Sequence, residues 1–262
     1  MDNPDRVVDG NVVLDNAVDG PVVDDNVLDG TVVDGIVRDV RSGLAAYADR
    51  RRAKEMARYM KTDMPFYGVP QPEREPVMRD VMKRYAIPDA ATYEAVVAAL
   101  WGLKHREEKY AALGVAIGKK QFITMASLPL YERLIREGAW WDLVDEVATH
   151  LISPLHKRER AQMRPIMDGW IGDDDMWIRR SAILSQIGHK HDTDADQLFG
   201  YCLHCAAEKE FFIRKAIGWA LRDFSYAAPE AVNAFLTEHR DALSGLSYRE
   251  GAKQLVRSGW TL

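Results

Sequence analysis

Cysteine is scarce here, and the little there is cannot build a scaffold. Cys202 and Cys205 are the only two, standing together in one Cys-Leu-His-Cys run. A disulfide-built fold is thereby excluded, and a reducing compartment is expected. Also missing is any apolar run approaching the roughly 20 residues that cross a bilayer, or a basic start followed by an apolar stretch. A transmembrane helix and a secretion signal are both ruled out on that reading, so the expected location is cytoplasmic, with no membrane partner. No glycine-rich phosphate loop and no Gly-x-Ser-x-Gly motif occurs, which argues against nucleotide hydrolysis and serine-hydrolase chemistry. What is present is 262 residues, 47% of them hydrophobic, enough for one sizeable core.

Residues 1–40 lack lysine and glutamate altogether and hold ten Asp against two Arg, a charge of −8 in a chain totalling −5, so the remainder carries +3. The stretch is repetitive. Val8-Asp9-Gly10, Val18-Asp19-Gly20 and Leu28-Asp29-Gly30 recur every ten residues, separated by Val-Val pairs. Paired valines favour strand and Asp-Gly favours turn, but side chains this small offer little burial against the ordering entropy of so much Gly and Asp. Residues 1–42 are therefore expected to form a disordered acidic tail, and residues 43–262 the folded domain. The tail either competes weakly for a basic surface or reflects a start codon placed too far upstream.

From about Ser42 the pattern turns helical. Arg50 to Lys61 is rich in strong helix formers. After the Pro65–Pro72 loop, Val77, Val81, Met82 and Tyr85 recur at amphipathic spacing; Pro88-Asp89 then breaks and caps before Ala90–Leu100. Further helices are expected over 104–118, 121–137, 140–152, 156–170, 174–188, 194–207, 209–225, 228–241 and 247–257, with no strand after residue 42. Short helices on short turns suit a bundle or a solenoid, and tryptophan favours the solenoid. Trp101, Trp141, Trp177, Trp219 and Trp260 lie 40, 36, 42 and 41 residues apart, close to one helical pair of a HEAT-type repeat. Trp141 has Asp145, Trp177 has Arg179 and Arg180, and Trp219 has Arg222 as charged companions, so each is expected to face one shared concave groove.

Two stretches carry chemistry. In Trp140-Trp141-Asp142-Leu143-Val144-Asp145 consecutive helical residues diverge by about 100°, whereas Trp141 and Asp145 at i and i+4 share a face. An indole beside a carboxylate suits a planar cationic ligand; the alternative is a buried Trp pair with surface acids. In Lys209 to Phe224, a core stripe of Ile213, Ala216, Ile217, Ala220, Leu221 and Phe224 leaves Lys215, Trp219 and Arg222 on another face. Gly218 beside Trp219 suggests a contact that needs room.

Met56-Ala57-Arg58-Tyr59-Met60-Lys61, Trp140-Trp141-Asp142-x-Val144-Asp145, Trp177-x-x-Arg180-x-Ala182-Ile183-Leu184 and Lys209-Glu210-Phe211-Phe212-Ile213-x-Lys215-Ala216-Ile217-Gly218-Trp219 occur in this order. Over residues 43–258 the chain thereby resembles the DNA alkylation repair glycosylases of the AlkD type. The resemblance implies an all-α, HEAT-like superhelix that wraps duplex DNA as a monomer and hydrolyses the N-glycosidic bond of cationic purines, chiefly 3-methyladenine and 7-methylguanine. It implies neither metal nor organic cofactor. It places the catalytic aromatic pair on Trp141 and Trp219, the catalytic carboxylate on Asp145, a phosphate-holding groove arginine on Arg180 and a duplex contact on Tyr59. Lys215 and Arg222, flanking Trp219, are expected to bind DNA as well. The acidic tail has no counterpart in the family's pattern.

Other stretches admit other chemistry. His189, His191, Cys202 and Cys205 could supply a Cys₂His₂ zinc site, although buried small helix residues explain the cysteines equally. Lys157, Arg158, Arg160 and Arg164 form a basic cluster that is either a solvated face or a phosphate contact. His150 and His156 are expected to be structural. The competing function is a non-catalytic HEAT-repeat module that binds DNA structures or another protein; a carboxylate between two tryptophans in a phosphate-lined groove separates the two.

Overall fold

The computed structural model describes residues 25–261, and among them there is helix and no strand. The first helix, α1, runs Asp25–Ala46, so the helical domain begins before residue 43. Ile36, Val40 and Leu44, spaced by four, are fully buried, and Val32, Val33 and Val37 pack against the same core. The ten-residue Val-Asp-Gly rhythm hid this change to helical spacing. Residues 1–24 of the expected tail lie outside the described residues.

Thereafter the helices follow one another on short connections: α2 Arg50–Met60, α3 Gln71–Arg84, α4 Ala90–Trp101, α5 Arg106–Gly118, α6 Leu128–Gly138, α7 Trp141–Val147, α8 Ser153–Arg158, α9 Arg160–Trp170, α10 Met176–Leu184, α11 Ala195–His204, α12 Phe211–Phe224, α13 Pro229–Glu238 and α14 Gly245–Arg257. Their starts are written in the sequence. Asp49 accepts from the backbone N–H groups of Arg51 and Arg52 at 2.8 and 3.0 Å, and Asp89, Asp175, Asp194 and Ser244 cap α4, α10, α11 and α14 in the same manner. Each helix packs mainly on near neighbours: α1 on α3 and α4, α4 on α5, α10 on α12, and α12 on α14. That nearest-neighbour stacking makes an all-α helical-repeat solenoid. At Gly43 an added Cβ would stand 2.4 Å from Val77 Cγ1, which shows how closely α1 lies on α3.

Two expected helices are interrupted. The segment 140–152 is α7 followed by a π-turn over Ala148–Ile152 that leads into α8. Pro154 lacks the N–H that would return to His150, and one wider turn accommodates its ring. Glu159, at φ −109° and ψ 40°, then separates α8 from α9.

The regularly spaced tryptophans do not all face one groove, and they stand at different places on their helices, from the last residue of α4 (Trp101) to the first of α7 (Trp141) and the middle of α12 (Trp219). Trp101 is core and donates its indole N–H to Glu137 Oε2 at 2.9 Å. Trp177 is buried beside Trp140 and Phe212, at ring distances of 6.2 and 5.0 Å. His156 is buried and hydrogen-bonded to Ser185 Oγ at 3.2 Å. Burial, with His189 beside it, pushes its imidazole down to about 4, so it is neutral and structural. Among the described residues no group of His, Cys, Asp and Glu is arranged to hold a metal ion, and no helix is long and apolar enough to cross a membrane.

Candidate active site

Ala139 ends α6 in the left-handed region at φ 37°, and Trp140 follows in extended backbone as the residue before α7. The two adjacent tryptophans part company at this junction rather than by a turn of helix. Trp140 goes into the aromatic cluster with Trp177 and Phe212, while Trp141 opens α7, 36% exposed. One turn on, Asp145 lies on the same face.

Trp141, Asp145, Arg180, Phe211, Phe212, Lys215, Trp219, Arg222 and Glu250 line one cavity of about 290 Å³. The structure thus gathers six of the seven expected site residues. Tyr59 is the exception: it is 76% exposed on α2 and does not line the cavity. It shares its helix with Arg50, Arg51, Lys54 and Arg58, which border a separate shallow depression.

Arg180 differs from its expected role. Its Nε donates to Asp145 Oδ1 at 2.7 Å and its Nη2 to Oδ2 at 2.8 Å, while Nη1 donates to the Phe212 carbonyl. At 4% exposure the fork is occupied and buried, and it orients a carboxylate instead of offering itself to a phosphate. Burial raises the Asp145 carboxyl above its ordinary value, and the hydrogen bonds and charge of Arg180 oppose that rise. The carboxylate is consequently fixed in direction, partly desolvated and aimed beside Trp141.

Opposite stands α12. Lys215 and Arg222, one turn before and one turn after Trp219, both end on Glu250 of α14: Lys215 Nζ at 3.1 Å from Oε1 and Arg222 Nη1 at 2.7 Å from Oε2. Lys253 adds a third contact at 2.7 Å. Burial pushes the Glu250 carboxyl up, but the hydrogen bonds from Lys253, Lys215 and Arg222 outweigh it and hold the group at about 2. The room that Gly218 provides is taken by this partner, since a Cβ there would meet Glu250 Cβ at 2.3 Å and the Ser247 carbonyl at 3.0 Å. The expected contact is therefore a packing contact of α12 on α14.

Sequence reasoning gave no role to Glu250, which is remote in the chain and announced only by Gly218, or to Phe211, whose exposed ring (56%) borders the cavity. Asp142 is not a surface acid. It is held in an ion pair with the buried Arg106, whose Nε donates to Oδ2 at 3.0 Å and Nη2 to Oδ1, with Tyr110 Oη donating as well. In the basic cluster Lys157 pairs with Asp192 at 2.9 Å and Arg164 with Asp194 at 2.5 Å. Arg158 and Arg160 reach the carbonyls of Ile123 and Asp192.

The family model described as DNA alkylation repair enzyme matches residues 40–255. Among solved structures, one titled "Predicted DNA alkylation repair enzyme from Enterococcus faecalis" is similar at 28% identity and a TM-score of 0.72, over 80% of this chain and 97% of that one. No curated protein matches the chain.

Proposed function

The chain belongs to the DNA alkylation repair enzyme family, and from that premise we propose that it is a monofunctional glycosylase releasing cationic alkylated purines, such as 3-methyladenine and 7-methylguanine, from duplex DNA. The observation that carries this reading is the Asp145 carboxylate, held bidentately by Arg180 in a cavity shared with Trp141 and Trp219.

Alkylation at N3 or N7 gives the purine a positive charge and makes it a good leaving group, so no protein acid is needed to protonate it. The C1′–N bond breaks, its electron pair leaves with the now neutral base, and positive charge develops on the sugar. Asp145 stabilises that charge and orients a water whose oxygen bonds to C1′; the water's proton passes to the carboxylate and on to solvent. Trp141 and Trp219 supply indole faces to the cation, at about 0.5–2 kcal/mol each depending on desolvation. Arg180 acts through Asp145. The exposed basic face of α2, with Tyr59, suits a more distant stretch of the duplex.

The test is the pH profile of single-turnover release of 7-methylguanine, corrected for spontaneous loss. Because Asp145 works ionised and burial raises its carboxyl, the rate should fall on the acid side through a midpoint above the ordinary carboxylate value of about 3.9. Arg180→Gln removes the opposing charge and should move that limb to still higher pH. A profile flat down to pH 4 in both proteins would remove Asp145 from the reaction.

A further inference from the structure

Glu250 lines the cavity as well as packing α14 on α12. Its carboxylate receives three cations, from Lys215 and Arg222 on α12 and Lys253 on its own helix. The two from α12 straddle Trp219 by one turn on either side, and Gly218 lets α14 come close enough for the carboxylate to hold both. The consequence is electrostatic. Arg180, Lys215 and Arg222 bring three positive charges to the cavity lining, and Asp145, already bound to Arg180, opposes only one of them. Without Glu250, a cation resting on Trp219 would meet two uncompensated positive groups.

We propose that Glu250 determines specificity for charge: by holding Lys215 and Arg222 in ion pairs against α14, it makes the Trp219 wall of the cavity hospitable to a positively charged base. Undamaged, neutral bases gain nothing from this arrangement, whereas phosphates can still share the outward donors of the same cations. The inference rests on the reading given under Proposed function.

It is tested on the full chain with two duplexes that cannot be hydrolysed. One carries a single 7-methylguanine on a 2′-fluorinated sugar, the other the uncharged isostere 7-methyl-7-deazaguanine at the same position. The parental protein should bind the charged duplex more tightly. Glu250→Gln keeps side-chain volume but adds one net positive charge, and should lower the ratio of charged to uncharged affinity about tenfold while strengthening binding to both backbones at low salt. Glu250→Asp should retain the ratio. Glu250→Gln combined with Lys215→Gln restores the charge count and should recover it, a result that a packing defect would not give. An unchanged ratio in Glu250→Gln, alongside parental release of 7-methylguanine, would overturn this inference alone. A parental protein with neither preference nor release would overturn the glycosylase reading as well.

Discussion

Asp145→Asn is expected to slow single-turnover excision of 7-methylguanine by about two to three orders of magnitude while duplex binding is kept or tightened. The cation it opposes exists mainly in the transition state. At about 4 Å and an effective dielectric near 20, a carboxylate and a full positive charge attract by on the order of 4 kcal/mol, about a thousandfold in rate. Arg180, sharing the carboxylate at 2.7 and 2.8 Å, offsets part of that attraction, which sets the lower end of the range. The substitution also leaves the Arg180 guanidinium buried without its counter-charge, so the thermal midpoint of the free protein should fall as well. Loss of the carboxylate's negative charge makes the cavity lining more positive towards the phosphate backbone, and binding therefore does not weaken. Rates are to be compared at saturating protein and below the variant's midpoint. A folded Asp145→Asn protein that excises at near the parental rate would show that the carboxylate has no part in the chemistry.

Asp142→Asn, three residues away, should do the opposite: destabilise the fold by about 3 kcal/mol with little change in the chemical step of the protein that remains folded. Asp142 accepts two donors from the buried Arg106 and one from Tyr110, tying α7 to α5. The neutral amide leaves a guanidinium that is only 2% exposed without a counter-charge. For a domain of this size the loss corresponds to a drop of about 6–12 °C in thermal midpoint. Thermal and denaturant unfolding of the two Asp→Asn proteins, read beside their excision rates, separates the two carboxylates. An Asp142→Asn midpoint within about 1 °C of the parent would contradict the assignment of Asp142 to the structure.

The contrast between these neighbours marks what could be seen in one dimension. Spacing along a helix was enough to place Trp141 with Asp145, and Lys215, Trp219 and Arg222 on one face, because each group lies within two turns of one element. Capping aspartates such as Asp49 and Asp89 likewise announce themselves locally. The partners that fix the geometry of these carboxylates come from elsewhere in the chain. Arg180 meets Asp145 across 35 residues, Arg106 meets Asp142 across 36, and Glu250 meets Arg222 across 28. No periodicity within one helix reports such a pairing, so Arg180, expected at a phosphate, stands paired with Asp145. The start of the domain was obscured differently, by a ten-residue Val-Asp-Gly rhythm that overlaps the four-residue spacing of Ile36, Val40 and Leu44.

The most direct measurement is identification of what leaves a uniformly methylated duplex. Incubated with the parental protein, the DNA should release free 7-methylguanine and 3-methyladenine, each matched by one abasic site and with the strands otherwise intact. Tight binding of the methylated duplex with no free base above the spontaneous background would contradict glycosylase activity and leave a DNA-binding module without catalysis.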